Sequence, residues 1–234
     1  MQEKKVYQST RSLVKRWQSA SPKLVYSYSK AKGRRIAFFN QEDHPDYNPK
    51  LWKDCKFANF QSKNNCYSYA LGDRMIGGLN PGFFAYKEGH ADVTEKDIVM
   101  YANKRIPFQE YCKRSLELVE LDGMIPVKDE FEAQPGHHLI AMVFRESPST
   151  DFHFYRLDSD GLWSHKPGVS SVTRVDRFNN LVKNPVNAVG GRDNSLYTYF
   201  GGFFLVPNKK FDFTEEDRSG ALKIINDYCR PAHE

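Results

Sequence analysis

The sequence predicts an α+β domain, helices first and antiparallel strands after, on three observations. Between Tyr67 and Glu120 the chain is punctuated by helix starts and stops, and from His138 onward it turns into short apolar and alternating runs. With 234 residues, 40% of them hydrophobic and 17 Phe, 13 Tyr and 3 Trp, it can bury a substantial core despite 27% charged residues, which excludes disorder for most of its length.

Taken in order, residues 9–20 have helical character around Leu13, Val14 and Trp17, and residues 24–28 and 35–39 read as short strands. Residues 41–49, with two prolines, read as a loop. A basic segment over 1–50, either a packed extension or an arm, is therefore expected to precede the main domain over 51–234. A helix is expected from Tyr67 to Met75, stopped by Gly77-Gly78 and Asn80-Pro81-Gly82. Thr94-Glu95-Lys96-Asp97 resembles a capping box opening a helix toward Ala102, and Pro107 suits the first turn of a helix that Asp122-Gly123 ends. Strands are expected over 138–145, 152–157, 162–165 and 197–206, and a closing amphipathic helix over 214–228.

Charge is uneven. Residues 1–53 hold 12 Lys and Arg against 4 Asp and Glu, a net +8, whereas the rest holds 22 against 25, a net −3. Lys30, Lys32, Arg34 and Arg35 suit an acidic partner, but no nucleic-acid motif accompanies them. No apolar run approaches the roughly 20 residues of a membrane-spanning helix. The charged start, Met1 to Lys5, lacks the apolar core of a cleaved export signal, so synthesis in a cytoplasm is expected, with any export by a specialised route. Four scattered cysteines, Cys55, Cys66, Cys112 and Cys229, form neither a disulfide framework nor a zinc finger.

The chemistry-bearing pattern begins at Cys66. Polar residues Gln61 to Asn65 give way to a helix-compatible stretch, placing the cysteine at a helix N-terminus, where unsatisfied N–H groups and the macrodipole are expected to lower its pKa. Residues 151–168 read as a β-hairpin. With a loop of Ser159-Asp160-Gly161, Tyr155 falls opposite His165, and His153 and His165 share one face as diagonal neighbours. One imidazole is suited to act as base to the thiol while the other fixes its tautomer. Ser164 and Asp176 stand as alternatives to His165. Gln61, Asn64 and Asn65 are candidate oxyanion donors, with Tyr155, Trp163 and Ser164 as substrate contacts. The bland alternatives are a buried inert Cys66, a structural His153 and a core Trp163. A metal site among His137, His138, His153, His165 and Cys66 ranks below both, because adjacent histidines on a strand point to opposite faces. No metal or cofactor is expected.

The order of helix-start cysteine, strand-start histidine and polar residue on the next strand resembles the papain-like superfamily, especially its NlpC/P60 branch. More specifically, Asn64-Asn65-Cys66-Tyr67-x-Tyr69-Ala70, His153-x-Tyr155-Arg156-x-Asp158, Gly161-x-Trp163-Ser164-His165-Lys166-x-Gly168 and Tyr197-Thr198-x-Phe200-x-Gly202-x-Phe204-x-Val206-Pro207 resemble a little-characterised family of bacterial and some eukaryotic proteins, some of them called shell-matrix proteins. The resemblance implies helices packed on an antiparallel sheet, with Cys66 as nucleophile, His153 as base and His165 as orienting residue. It implies a cysteine-dependent hydrolase or acyl transferase acting on an amide of a protein or peptide: a peptidase, amidase, deamidase or transglutaminase-type enzyme. The lack of an export signal and the basic arm suit such an enzyme to be a bacterial effector delivered by a specialised secretion system. Asn65 and Tyr67 around the cysteine depart from the Asp-Cys-x-Gly of NlpC/P60 enzymes, which argues against a cell-wall peptide substrate. The alternative is a non-catalytic binding or matrix module on the same fold.

Overall fold

Side chains alternate across a strand, so a sheet covered on both faces needs apolar residues at nearly every position. The strands here have them. The computed structural model describes residues 43–53, 60–73, 77–98, 106–127, 135–146, 149–186 and 197–208. The expected elements over 9–20, 24–28, 35–39 and 214–228, together with Cys55 and Cys229, lie outside the described residues. The sheet contains β1 (Ile125–Pro126), β2 (His137–Arg145), β3 (Asp151–Leu157), β4 (Trp163–His165) and β5 (Tyr199–Pro207). Its order is β1-β5-β2-β3-β4, and every pairing is antiparallel. The α+β expectation therefore holds.

Beyond a short helix α1 (Phe60–Lys63), the helices α2 (Cys66–Leu71), α3 (Phe83–Lys87), α4 (Glu95–Ile98) and α5 (Phe108–Leu121) pack against one face. Ile140, Met142, Phe144, Phe152, Phe154, Phe204 and Val206 meet Tyr67, Ala70, Phe83, Tyr111 and Leu118 there. The opposite face carries Leu139, Ala141, Val143, Tyr155, Leu157, Trp163, Phe203 and Leu205, covered in part by Val182. Across β2 and β5, Met142 pairs with Gly202 and Val143 with Phe200, leaving Gly201 as the extra residue of a bulge. A Cβ there would fall 2.6 Å from the Phe144 ring and 3.1 Å from the Met142 carbonyl.

The helix expected over 67–75 starts at Cys66 and stops at Leu71. Gly72 adopts the left-handed conformation at φ 79° and Asp73 N donates to Ser68 O, closing the helix one turn before the glycines expected to end it. Helix α5 runs as expected, with Pro107 before it and Gly123 at φ 88° after it. Asp122 ties three helices together, accepting from Tyr67 Oη at 2.8 Å, Gly82 N at 2.7 Å and Ala85 N at 3.0 Å. Burial nevertheless pushes its carboxyl up to about 7. In α4, Asp97 accepts from both the N–H and the hydroxyl of Thr94, the reach-back half of the expected capping box.

The stretch 43–52 crosses the boundary expected near residue 50 and is packed on the domain. Gly136 N donates to Asp43 Oδ1, Leu139 N to His44 Nε2, and Trp52 meets the Tyr69 ring edge-on at 4.8 Å. Among the described residues no helix is long and apolar enough to cross a membrane.

Candidate active site

Asn65 sets the start of α2. Its side-chain oxygen accepts the N–H groups of Tyr67 and Ser68, its Nδ2 donates to Leu79 O at 2.6 Å, and Ser68 Oγ accepts the Asn65 N–H in return. This capping box fixes Cys66 as the first residue of the helix. It also removes Asn65 from the oxyanion candidates, since its side chain is committed to holding the helix.

Opposite the helix, β4 pairs with β3 from Trp163–Leu157 to His165–Tyr155, the register expected from the sequence. Gly161 takes the left-handed position in the connecting loop at φ 81°. Just beyond this pairing, the backbone N–H of Phe154 faces the Cys66 sulfur closely enough to favour its thiolate. The thiol thus lies beside the His153–Phe154 peptide.

His153 and His165 meet on the face away from the helices, with His153 Nε2 2.8 Å from His165 Nδ1. His165 Nε2 is 2.9 Å from Val175 O, and a carbonyl accepts, so His165 Nε2 carries the proton. Its Nδ1 is then an acceptor, His153 Nε2 is the donor, and His153 Nδ1 holds the lone pair. One chain of bonds therefore fixes both tautomers. Above this pair, Tyr197 stacks on the His153 ring at 5.1 Å and 26° and donates to Asp151 Oδ2 at 2.8 Å. Arg145 Nη2 reaches the same oxygen at 3.0 Å.

Electrostatics depart from the expectation of an activated thiol. Cys66 is 6% exposed, and burial, reinforced by the charge of Asp151, pushes its thiol up to about 12. The N–H of Phe154 and of Cys66 itself act the other way, as does Lys166, but burial wins. A six-residue helix does not offset it. His153 is held well below its ordinary value, first by burial and then by His165 and Arg145, and burial brings His165 to about 4. At rest the thiol is neutral within the helix-side core and the two imidazoles are neutral on the other face of the sheet, with no hydrogen bond joining the Cys66 sulfur to His153.

The remaining candidates sort themselves by contact. Gln61 accepts from Ser171 Oγ with its side-chain oxygen. Asn64 is buried, and its backbone oxygen accepts from Lys166. Tyr155 and Trp163 are fully enclosed, Trp163 against Phe203, so neither presents a face to a substrate in this state. Ser164 lies on the helix side, 2.6 Å from Tyr69 Oη, within a buried network in which Arg156 pairs with Asp158 at 3.0 Å. That places it away from His153. Asp176 accepts backbone N–H groups of Phe178 and Asn180 in its own turn. Among the described residues no group of His, Cys, Asp and Glu comes together as a metal site; His138 instead bonds Ala70 O and Asn208. Sequence reasoning missed Asp151, Tyr197 and Lys166. The first two are brought to His153 by long-range packing, while Lys166 follows His165 directly and strand alternation alone would have turned it toward Cys66.

No sequence-family profile matches the chain, and no solved structure matches it. It is 38% identical over 143 residues, 61% of its own length and 79% of the other protein's, to insoluble matrix shell protein 1 of Ruditapes philippinarum. The chain belongs to the same family as that protein.

Proposed function

We propose that this member of the shell-matrix protein's family is a cysteine-dependent hydrolase or acyl transferase of papain-like, NlpC/P60-like architecture, acting on an amide through Cys66, His153 and His165. The observation that carries the reading is the directed pair His153 Nε2–H to His165 Nδ1, anchored on Val175 O, which leaves the Nδ1 lone pair free on the residue that precedes Phe154, whose N–H acts on the thiol. In the reaction, which requires the His153 ring to come round the β3 edge to the sulfur, Cys66 Sγ bonds to the amide carbonyl carbon as its proton passes to His153 Nδ1, and the C–N bond breaks as that proton goes to the departing amine. Water or a second amine then resolves the thioester, its proton taken by the same nitrogen. The Cys66 N–H, not consumed by the Asn65 cap, serves as the oxyanion donor in this reading. Neutral resting groups fit a mechanism in which the proton moves as bonds form, without a standing thiolate–imidazolium pair.

Reaction of Cys66 with a peptidyl vinyl sulfone, read by mass spectrometry, tests this. The expected outcome is a single adduct at Cys66, slowed at least about a hundredfold in His153→Ala if general-base assistance is lost. Equal labelling in a folded His153→Ala protein would end the proposal. A second reading, a non-catalytic matrix module, is favoured by the relative's name and by the enclosed thiol. It predicts no adduct at Cys66 in the native protein.

A further inference from the structure

A cation completely shut away from water is unusual unless something holds it. Lys166 is 0% exposed. Its ammonium donates to the backbone oxygens of Gln61 at 2.6 Å, Asn64 at 2.5 Å and Gly168 at 2.7 Å. Gln61 lies in α1, and Asn64 belongs to the turn between α1 and the Asn65 cap. Gly168 closes the loop in which Lys166 itself sits. These three carbonyls use the three N–H bonds of an ammonium, so it is locked in place.

Position along the chain gives this clamp its meaning. His165 points to one face of the sheet and bonds His153; Lys166, the next residue, points to the other and holds the turn that delivers Cys66. We propose that Lys166 is a positioning residue for Cys66: it fixes the 61–65 turn that presents the sulfur and supplies the buried positive charge opposite the anion formed there. This rests on the reading of Cys66 as nucleophile. The charged and titratable groups acting on or near the thiol are Asp151 and His153 of β3, Tyr155 of the same strand, Tyr111 of α5, Tyr197, and Lys166. Of these, Lys166 is the one whose charge favours the thiolate. With both imidazoles held neutral by burial, negative charge on sulfur or on a tetrahedral oxygen would have this ammonium as its fixed counter-charge.

Iodoacetamide labelling of Cys66 between pH 6.5 and 8.5, followed by mass spectrometry, distinguishes charge from mere clamping. In Lys166→Gln the rate is expected to fall about three- to tenfold at every pH, since each unit of raised thiol pKa removes tenfold of the thiolate and restores part of that in nucleophilicity. A purely structural lysine predicts the reverse: loosening the turn exposes Cys66 and labelling speeds up. An unchanged or faster rate overturns the proposal. Should Lys166→Gln fail to fold, Lys166→Arg and Lys166→Met carry the test, the proposal requiring that Arg label at least threefold faster than Met and failing otherwise. Failure of the hydrolase reading is seen separately, as insensitivity of vinyl sulfone labelling to His153→Ala, whatever the lysine variants do.

Discussion

At the scale of single residues, the site is a contest between burial and fixed charge around Cys66. Asp151 raises the thiol pKa and also holds Tyr197 over His153, so its carboxylate opposes reaction in two ways. Asp151→Asn is expected to speed iodoacetamide labelling of Cys66 several-fold at pH 8, measured as the adduct rate; slower labelling would show that Asp151 assists the thiol. Asn65→Ala should cost about 1–2 kcal/mol, the usual loss of a cap, plus the tie to Leu79, and appears as a lowered denaturant midpoint without a change in m-value. The histidine pair was legible because alternation and one turn glycine fix which strand residues share a face. Burial of the thiol was not, since nothing local to residues 61–70 records that Phe152, Phe154 and Tyr111 pack around it.

Among elements, the hairpin and the helix ends were readable wherever a residue has a single conformational use. Gly161 in the loop, Pro107 and Gly123 around α5, and the Asn65 cap each act within a few residues. What escaped the sequence depends on distant contacts. β1 is two residues long and exists because β5 offers an edge. α2 ends at Gly72 and not at Gly77 because the left-handed residue comes first. The bulge at Gly201 falls in this class too: the glycine was visible, but the Phe144 ring against it was not. Gly201→Ala is expected to destabilise the protein by about 1–3 kcal/mol, because the ring or the β2–β5 ladder must shift, and thermal denaturation would register it. No change in melting temperature would mean that Phe144 moves aside freely.

For the molecule as a whole, burial of ionisable groups ties stability to pH in two opposed ways. His138 is kept neutral to about pH 4 by burial, although Ala70 O and Asn208 favour its protonated form. Unfolded, the same imidazole titrates near 6.5, so between 6.5 and 4 only the unfolded chain takes the proton. Its contribution is intact above pH 6.5 and is lost as pH falls, by about 3 kcal/mol when the window is crossed. His153 and His165 act in the same direction. Asp122 has the opposite sign: its carboxyl, raised to about 7, keeps a proton that the unfolded chain has released, so stability is lost as pH rises through that range. The wild-type profile between pH 5 and 7 is the difference of these effects, and single variants separate them. In His138→Gln the gain in melting temperature on going from pH 5 to pH 7 should be smaller than in the wild type, whereas in Asp122→Asn it should be larger. Identical pH differences in all three proteins would mean that neither group's ionisation is coupled to folding. Both changes leave Cys66, His153 and His165 untouched, so the shifts belong to the scaffold that keeps the site dry.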